Sequence, residues 1–148
     1  VEISRLLSSR ARVMMVGLTE KQCESLPDSV IGIKRTDGPE ALVSLYATAD
    51  CLINPTYEDT YPTVNMEAMA CGTPVAGYAV GGAAEQLASP GGMPCPVGNI
   101  SQLAEAALTL AARKAELTKA CRAFAEANFD RAQALNTYTD LYKAMTGA

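Results

Sequence analysis

The stretch Asn54-PTYEDTYPTVNMEAMACGTPVAGYAVG-Gly82 decides how this chain is read. It opens with an acidic turn at Glu58 and Asp59 and continues as a proline-started run of small apolar residues interrupted by Glu67. Gly72-Thr73-Pro74 stops that run, and a short apolar strand, PVAGY, then leads to Gly81-Gly82. Period and punctuation give a loop, a helix from about Pro62 to Cys71, a buried strand and a second helix start. The oddity is Glu67, because a carboxylate inside a buried run is costly unless something pairs with it.

Working outward, the same alternation recurs. RVMMVG, SVIGI and Asp50-CLIN-Pro55 are apolar strands, and segments of helical character precede or separate them: VEISRLLSSR, Glu20 to Leu26, and a helix that Pro39 starts with Leu42, Leu45 and Tyr46 on one face. After Gln86 and Leu87, Ser89-Pro90-Gly91-Gly92 breaks a helix and MPCPV forms a last extended segment. From about residue 100 the chain is helical, with Leu103, Ala107 and Leu110, then Leu117, Cys121 and Phe124, then Leu135, Tyr138, Leu141, Tyr142 and Met145 at helical spacing. Strands that run apolar rather than alternating belong to a parallel sheet covered on both faces. The expected fold is α/β, a Rossmann-like parallel sheet with helices on both faces, in one domain over 1–148. A first helix feeding a strand also looks as though a preceding strand of the sheet had been left out, so the chain is expected to be part of a longer protein.

Composition narrows the function. The 148 residues suit one domain with a core of its own, and 49% hydrophobic with 19% charged residues is ordinary for a globular α/β protein. A net charge of −4 argues against a nucleic-acid partner, which needs a basic surface. The chain has no histidine, which removes Ser-His and Cys-His catalysis. The five cysteines lack any CxxC spacing and read as reduced core thiols of a cytoplasmic protein.

Parallel sheets bind ligands at the carboxyl ends of their strands, against helix N-termini. The helix start after CLIN therefore presents the amides of Thr63 and Val64, where a diphosphate would fit; alternatively Asp59 or Thr60 is only a helix cap. Carboxylates repel phosphate but accept hydrogen bonds from hydroxyl groups, and a sugar presents several. Asp59 and Glu67 stand eight positions apart, so a loop and one helical turn could embrace a polyhydroxylated ligand. Glu67 either lies inside and needs partners, such as ribose hydroxyls, or occupies the one exposed stripe of its helix. Gly81-Gly82 make a second phosphate-approaching turn or a tight connection, and Lys34-Arg35 contact a base or phosphate or are an exposed basic pair.

These residues are familiar as a set. The string from Asn54 to Val75, followed by Gly81-Gly82-x-x-Glu85, resembles the C-terminal domain of the retaining glycosyltransferases of family four, the "glycosyl transferases group 1", which have the GT-B fold. Met15-Val-Gly-Leu-Thr-Glu-Lys-Gln22 and Gly32-Ile-Lys-Arg-Thr36 extend the likeness over almost the whole chain. The resemblance implies a donor domain that binds a nucleotide sugar, with UDP favoured, and needs neither cofactor nor metal. It implies transfer with retained anomeric configuration to a glycan or glycolipid acceptor held by a separate N-terminal domain, in the synthesis of cell-surface polysaccharide. Any membrane association would be peripheral and through parts outside this chain.

By position, Asp59 stands where the family has the first glutamate of its E-x7-E motif, associated with the transferred sugar, and Glu58 beside it is a possible substitute. Glu67 matches the second glutamate, which holds the ribose hydroxyls. Tyr61, Thr63 and Val64 fall at the helix start that meets the donor diphosphate, and Ile33 to Arg35 where the nucleobase pocket begins. The family's arginine and lysine that neutralise the leaving diphosphate have no match before Arg12. Two other readings remain: a non-catalytic interaction module of GT-B-like fold that docks through its C-terminal helices, and a nucleotide-sugar epimerase.

Overall fold

In the computed structural model, which describes residues 2–147, strands and helices alternate through residue 95 and helices alone follow. The order is Glu2–Leu7 (α1), Val13–Val16 (β1), Glu20–Glu24 (α2), Val30–Ile33 (β2), Pro39–Thr48 (α3), Leu52–Asn54 (β3) and Thr63–Ala70 (α4). Then come Val75–Tyr78 (β4), Gly81–Leu87 (α5), Gly92–Cys95 (β5), Ile100–Ala112 (α6), Lys114–Asn128 (α7) and Arg131–Thr146 (α8). Every expected strand and helix is present. Val1, the first residue of the expected N-terminal helix, and Ala148, the end of the expected domain, lie outside the described residues.

All strand pairings are parallel, and they fall into two sheets. β4 is the centre of the larger one: Val75 pairs with Leu52 and Gly92, and Gly77 with Asn54 and Pro94. All four residues of β4 are buried, because α4, α5 and α6 pack against this sheet. Met69, Val75, Tyr78, Leu87, Leu103, Leu110 and Leu117 form the core there, each buried side chain contributing about 1.5–3 kcal/mol relative to exposure. α7 covers α4 with Leu117, Cys121 and Ala125, one residue per turn on a single face.

β1 pairs only with β2, from Val13↔Val30 to Val16↔Ile33. Here the expectation of a strand covered on both faces is corrected: Met14, Met15 and Val16 are exposed. The reason is packing: α4, α5 and α6 lie against β4 in the larger sheet, whereas the main contacts of β1 among the described residues are with its neighbour β2. A similar correction applies to α8. Its Leu135, Tyr138, Leu141, Tyr142 and Met145 form the expected stripe, but no residue of this helix is buried. Of the five cysteines, all free thiols, only Cys95 and Cys121 belong to the core in the strict sense; the other three are half-buried.

Candidate functional site

The loop leaving β3 at Asn54 folds on itself before α4 begins. Asp59 Oδ1 accepts the Tyr61 backbone N–H at 3.0 Å, an Asx turn that short polar side chains favour, and the Thr56 hydroxyl donates to the Glu58 carbonyl at 3.0 Å. Pro62 then occupies the cap position of α4 in an extended conformation and offers no side-chain cap. The first amides of the helix, at Thr63 and Val64, therefore have no capping side chain, and both residues are exposed. Asp59 serves the turn before the helix rather than the helix end itself.

A buried polar chain fixes this helix start. Asn54 at the end of β3 donates through Nδ2 to Asn65 Oδ1 at 3.0 Å, and Asn65 Nδ2 donates to Gln86 Oε1 at 2.9 Å. Gln86 Nε2 in turn donates to the Pro62 carbonyl at 3.2 Å. Asn65 and Gln86 are almost fully buried, so the Asn65–Gln86 and Gln86–Pro62 links lie in a low-dielectric interior where a missing partner is expensive, while the Asn54 link is half-buried. Strand β3, the cap of α4 and helix α5 are thereby held in one register.

Gly81 and Gly82 complete the frame. A Cβ on Gly81 would sit 2.2 Å from the Asp59 carbonyl oxygen, and one on Gly82 would sit 2.1 Å from the Thr60 carbonyl oxygen. Gly82 N–H donates to that same Thr60 carbonyl at 3.0 Å, and Gly81 has a φ of +43°, which favours glycine. Between the alternatives of a phosphate turn and a tight connection, the contacts show a close approach of the start of α5 to the backbone of the acidic turn.

Glu67 lies one turn into α4, and the structure corrects the premise that it is a buried charge: it is exposed, on the stripe that also carries Thr63 and Ala70. The opposite face, with Asn65, Ala68 and Met69, is the one that packs inward. Glu67 Oε2 accepts the phenol O–H of Tyr46 from α3 at 2.9 Å. The two side chains line a cleft of about 280 Å³ between α3 and α4 whose walls include Pro39, Leu42, Val43 and Cys71. Burial, and then the hydrogen bond and charge of Glu67, push the Tyr46 phenol above its ordinary pKa, so it stays a donor.

The remaining candidates sit elsewhere. Ile33 ends β2 in the smaller sheet, where its carbonyl accepts from Gly17 and Leu18 N–H at 3.0 and 3.2 Å. Lys34 pairs with Glu20, and Arg35 is exposed. Among the described residues no hydrogen bond or ion pair joins Ile33, Lys34 or Arg35 to Asp59 or Glu67, nor Asp59 to Glu67. Tyr61 packs edge-on against Phe129 at 6.2 Å, tying the acidic turn to the end of α7. Glu58 projects into solvent.

Three residues of this arrangement escape sequence reasoning. Tyr46 reads as one more member of an apolar helical face, yet carries the only hydrogen bond that Glu67 accepts from a side chain among the described residues. Asn65 and Gln86 are amides inside otherwise apolar runs, and that mismatch is the signal that points to a buried network.

Comparison with known proteins places these features in context. The family described as "Glycosyl transferases group 1" matches residues 2–113. The D-inositol 3-phosphate glycosyltransferase of Actinosynnema mirum is 33% identical over 88 residues, 51% of this chain and 21% of that protein. The enzyme of the same name from Mycolicibacterium smegmatis is 49% identical over 43 residues, 29% of this chain and 10% of that one. The chain thus matches about a fifth or less of the length of these curated relatives. Among solved structures, sucrose-phosphate synthase from Thermosynechococcus elongatus superposes with a TM-score of 0.78 at 24% identity, covering 98% of this chain and 42% of the other. That likeness supports the fold, the parallel α/β half of a GT-B architecture.

Proposed function

This chain belongs to the glycosyl transferases group 1 family, and on that premise we propose that it is the donor-binding part of a retaining glycosyltransferase that takes its sugar from a nucleoside diphosphate, UDP being favoured. The observation that carries this reading is the pairing of an uncapped helix start at Thr63 and Val64 with an exposed, hydrogen-bonded Glu67 one turn further along the same helix. An amide-rich helix start suits a diphosphate, and a carboxylate suits vicinal hydroxyls.

In this proposal the Thr63 and Val64 amides take the diphosphate and Glu67 takes the ribose. Asp59, with Glu58 beside it, faces the transferred sugar, and Tyr61 shapes the entrance. Ile33 and Arg35 approach the base once donor is bound. Stabilisation of the departing diphosphate by preorganised amides is the electrostatic contribution to transfer, and no metal takes part. The matched relatives are named after D-inositol 3-phosphate, a phosphorylated polyol, so the acceptor class proposed is a hydroxyl-rich molecule, a glycan, glycolipid or polyol, bound by a second domain. The site of action proposed is the cytoplasm, in keeping with five free thiols. None of the described helices is long and apolar enough to cross a membrane.

Titration calorimetry against UDP-, GDP- and ADP-sugars with a chelator present tests the reading. Binding of one nucleotide class is expected, and heat from none of the three overturns it.

A further inference from the structure

We propose that Tyr46 is a positioning residue for the donor: by donating its phenolic hydrogen to Glu67 Oε2 it orients the carboxylate so that the other oxygen is presented to the ribose. This rests on the ribose role of Glu67 proposed above. The physical need is plain. Glu67 is exposed on a helix surface, and a free glutamate there samples many rotamers, so its ordering would be a cost of ligand binding. A hydrogen bond at 2.9 Å to one carboxylate oxygen favours the rotamer that makes it, and among the described residues Oε1 accepts no side-chain hydrogen bond.

Tyr46 is suited to this because its own backbone is tied down. The buried Thr73 hydroxyl donates to the Tyr46 carbonyl at 2.5 Å, and Thr73 N–H donates to Ala68 at 2.8 Å. The Gly72-Thr73-Pro74 turn that ends α4 therefore grips the end of α3, and the Tyr46 ring is held from that anchor towards Glu67. Its ring also lines the apolar cleft with Leu42 and Val43, which limits where the phenol can point. The phenol is protonated at neutral pH in any case, and its raised pKa carries that donor state further into the alkaline range.

The test uses whichever of UDP, GDP and ADP binds, together with its 2′,3′-dideoxy analogue, on wild type, Tyr46→Phe, Glu67→Gln and the double variant. Phenylalanine keeps the ring, so thermal unfolding is expected to stay close to wild type. Tyr46→Phe should weaken the ribonucleotide about fivefold, the usual worth of one hydrogen bond, while leaving the dideoxy analogue unchanged. In the Glu67→Gln background it should add no further loss. Equal weakening of both nucleotides, or no weakening of either, overturns the positioning role while leaving the ribose role of Glu67 intact. If Glu67→Gln itself leaves ribonucleotide affinity unchanged, or if none of the three nucleotides binds, the ribose reading fails and this inference fails with it.

Discussion

Asn65 Nδ2 donates to Gln86 Oε1 at 2.9 Å with both side chains buried, which makes one amide pair the pin between helices α4 and α5. Because the same Asn65 accepts from Asn54 and the same Gln86 donates to the Pro62 carbonyl, the pin also sets where α4 begins. Every buried side-chain nitrogen and oxygen among the described residues has a partner, so removing one member strands another.

Asn65→Leu should therefore destabilise the fold by about 2–4 kcal/mol, since buried Gln86 and half-buried Asn54 both lose a partner. Replacing Gln86 by Leu as well should recover part of that loss. Urea unfolding of the two variants checks this; a single variant as stable as wild type would show that the amide network does not hold the fold.

Gly82→Ala puts a methyl group against the Thr60 carbonyl and the Tyr61 ring. The acidic turn must then move away from α5. The expected outcome is a folded protein with altered amide shifts at Asp59 to Tyr61 and weakened donor binding. Unperturbed shifts in that turn would contradict the close approach.

Gly72 turns the chain between α4 and β4 with a φ of +81°, and a Cβ there would meet the Thr118 methyl at 2.7 Å. Gly72→Ala is expected to cost about 1–3 kcal/mol through strain in the left-handed region and displacement of α7. A Gly72→Ala/Thr118→Ser double variant should relieve only the steric part. Thermal unfolding compares the two.

Burial raises the Cys51 thiol to about 12, against an ordinary 9.0. The folded state thus holds its proton more tightly than the unfolded chain. Stability from this group is complete below about pH 9 and is lost as pH rises towards 12. Urea midpoints should fall across that range, and less steeply in Cys51→Val. Part of the slope should persist, because burial also raises the Tyr46, Cys71 and Cys121 groups. Identical slopes in the variant and wild type would be the contrary result.

Much of the fold is legible in the residues themselves. Val75 to Tyr78 is apolar without alternation and is buried on both faces, as such a strand must be in a parallel sheet. Met14 to Val16 has the same character and is exposed, because burial depends on which helices pack on a strand, and local sequence does not encode that. The site divides likewise. The helix start at Thr63 follows from local punctuation. The side of α4 on which Glu67 falls does not, because small residues surround it in sequence and only packing on α7 decides which of them face inward. The partnership with Tyr46 joins residues 21 apart in the chain and is visible only once α3 and α4 are packed.

Binding of the donor nucleotide to the exposed face of α4 is tested by Glu67→Ala. Calorimetric titration of the bound nucleoside diphosphate should give an affinity about 10- to 100-fold below wild type, as expected for losing hydrogen bonds to a charged group, with an unchanged melting temperature. An affinity equal to wild type would place the nucleotide away from Glu67.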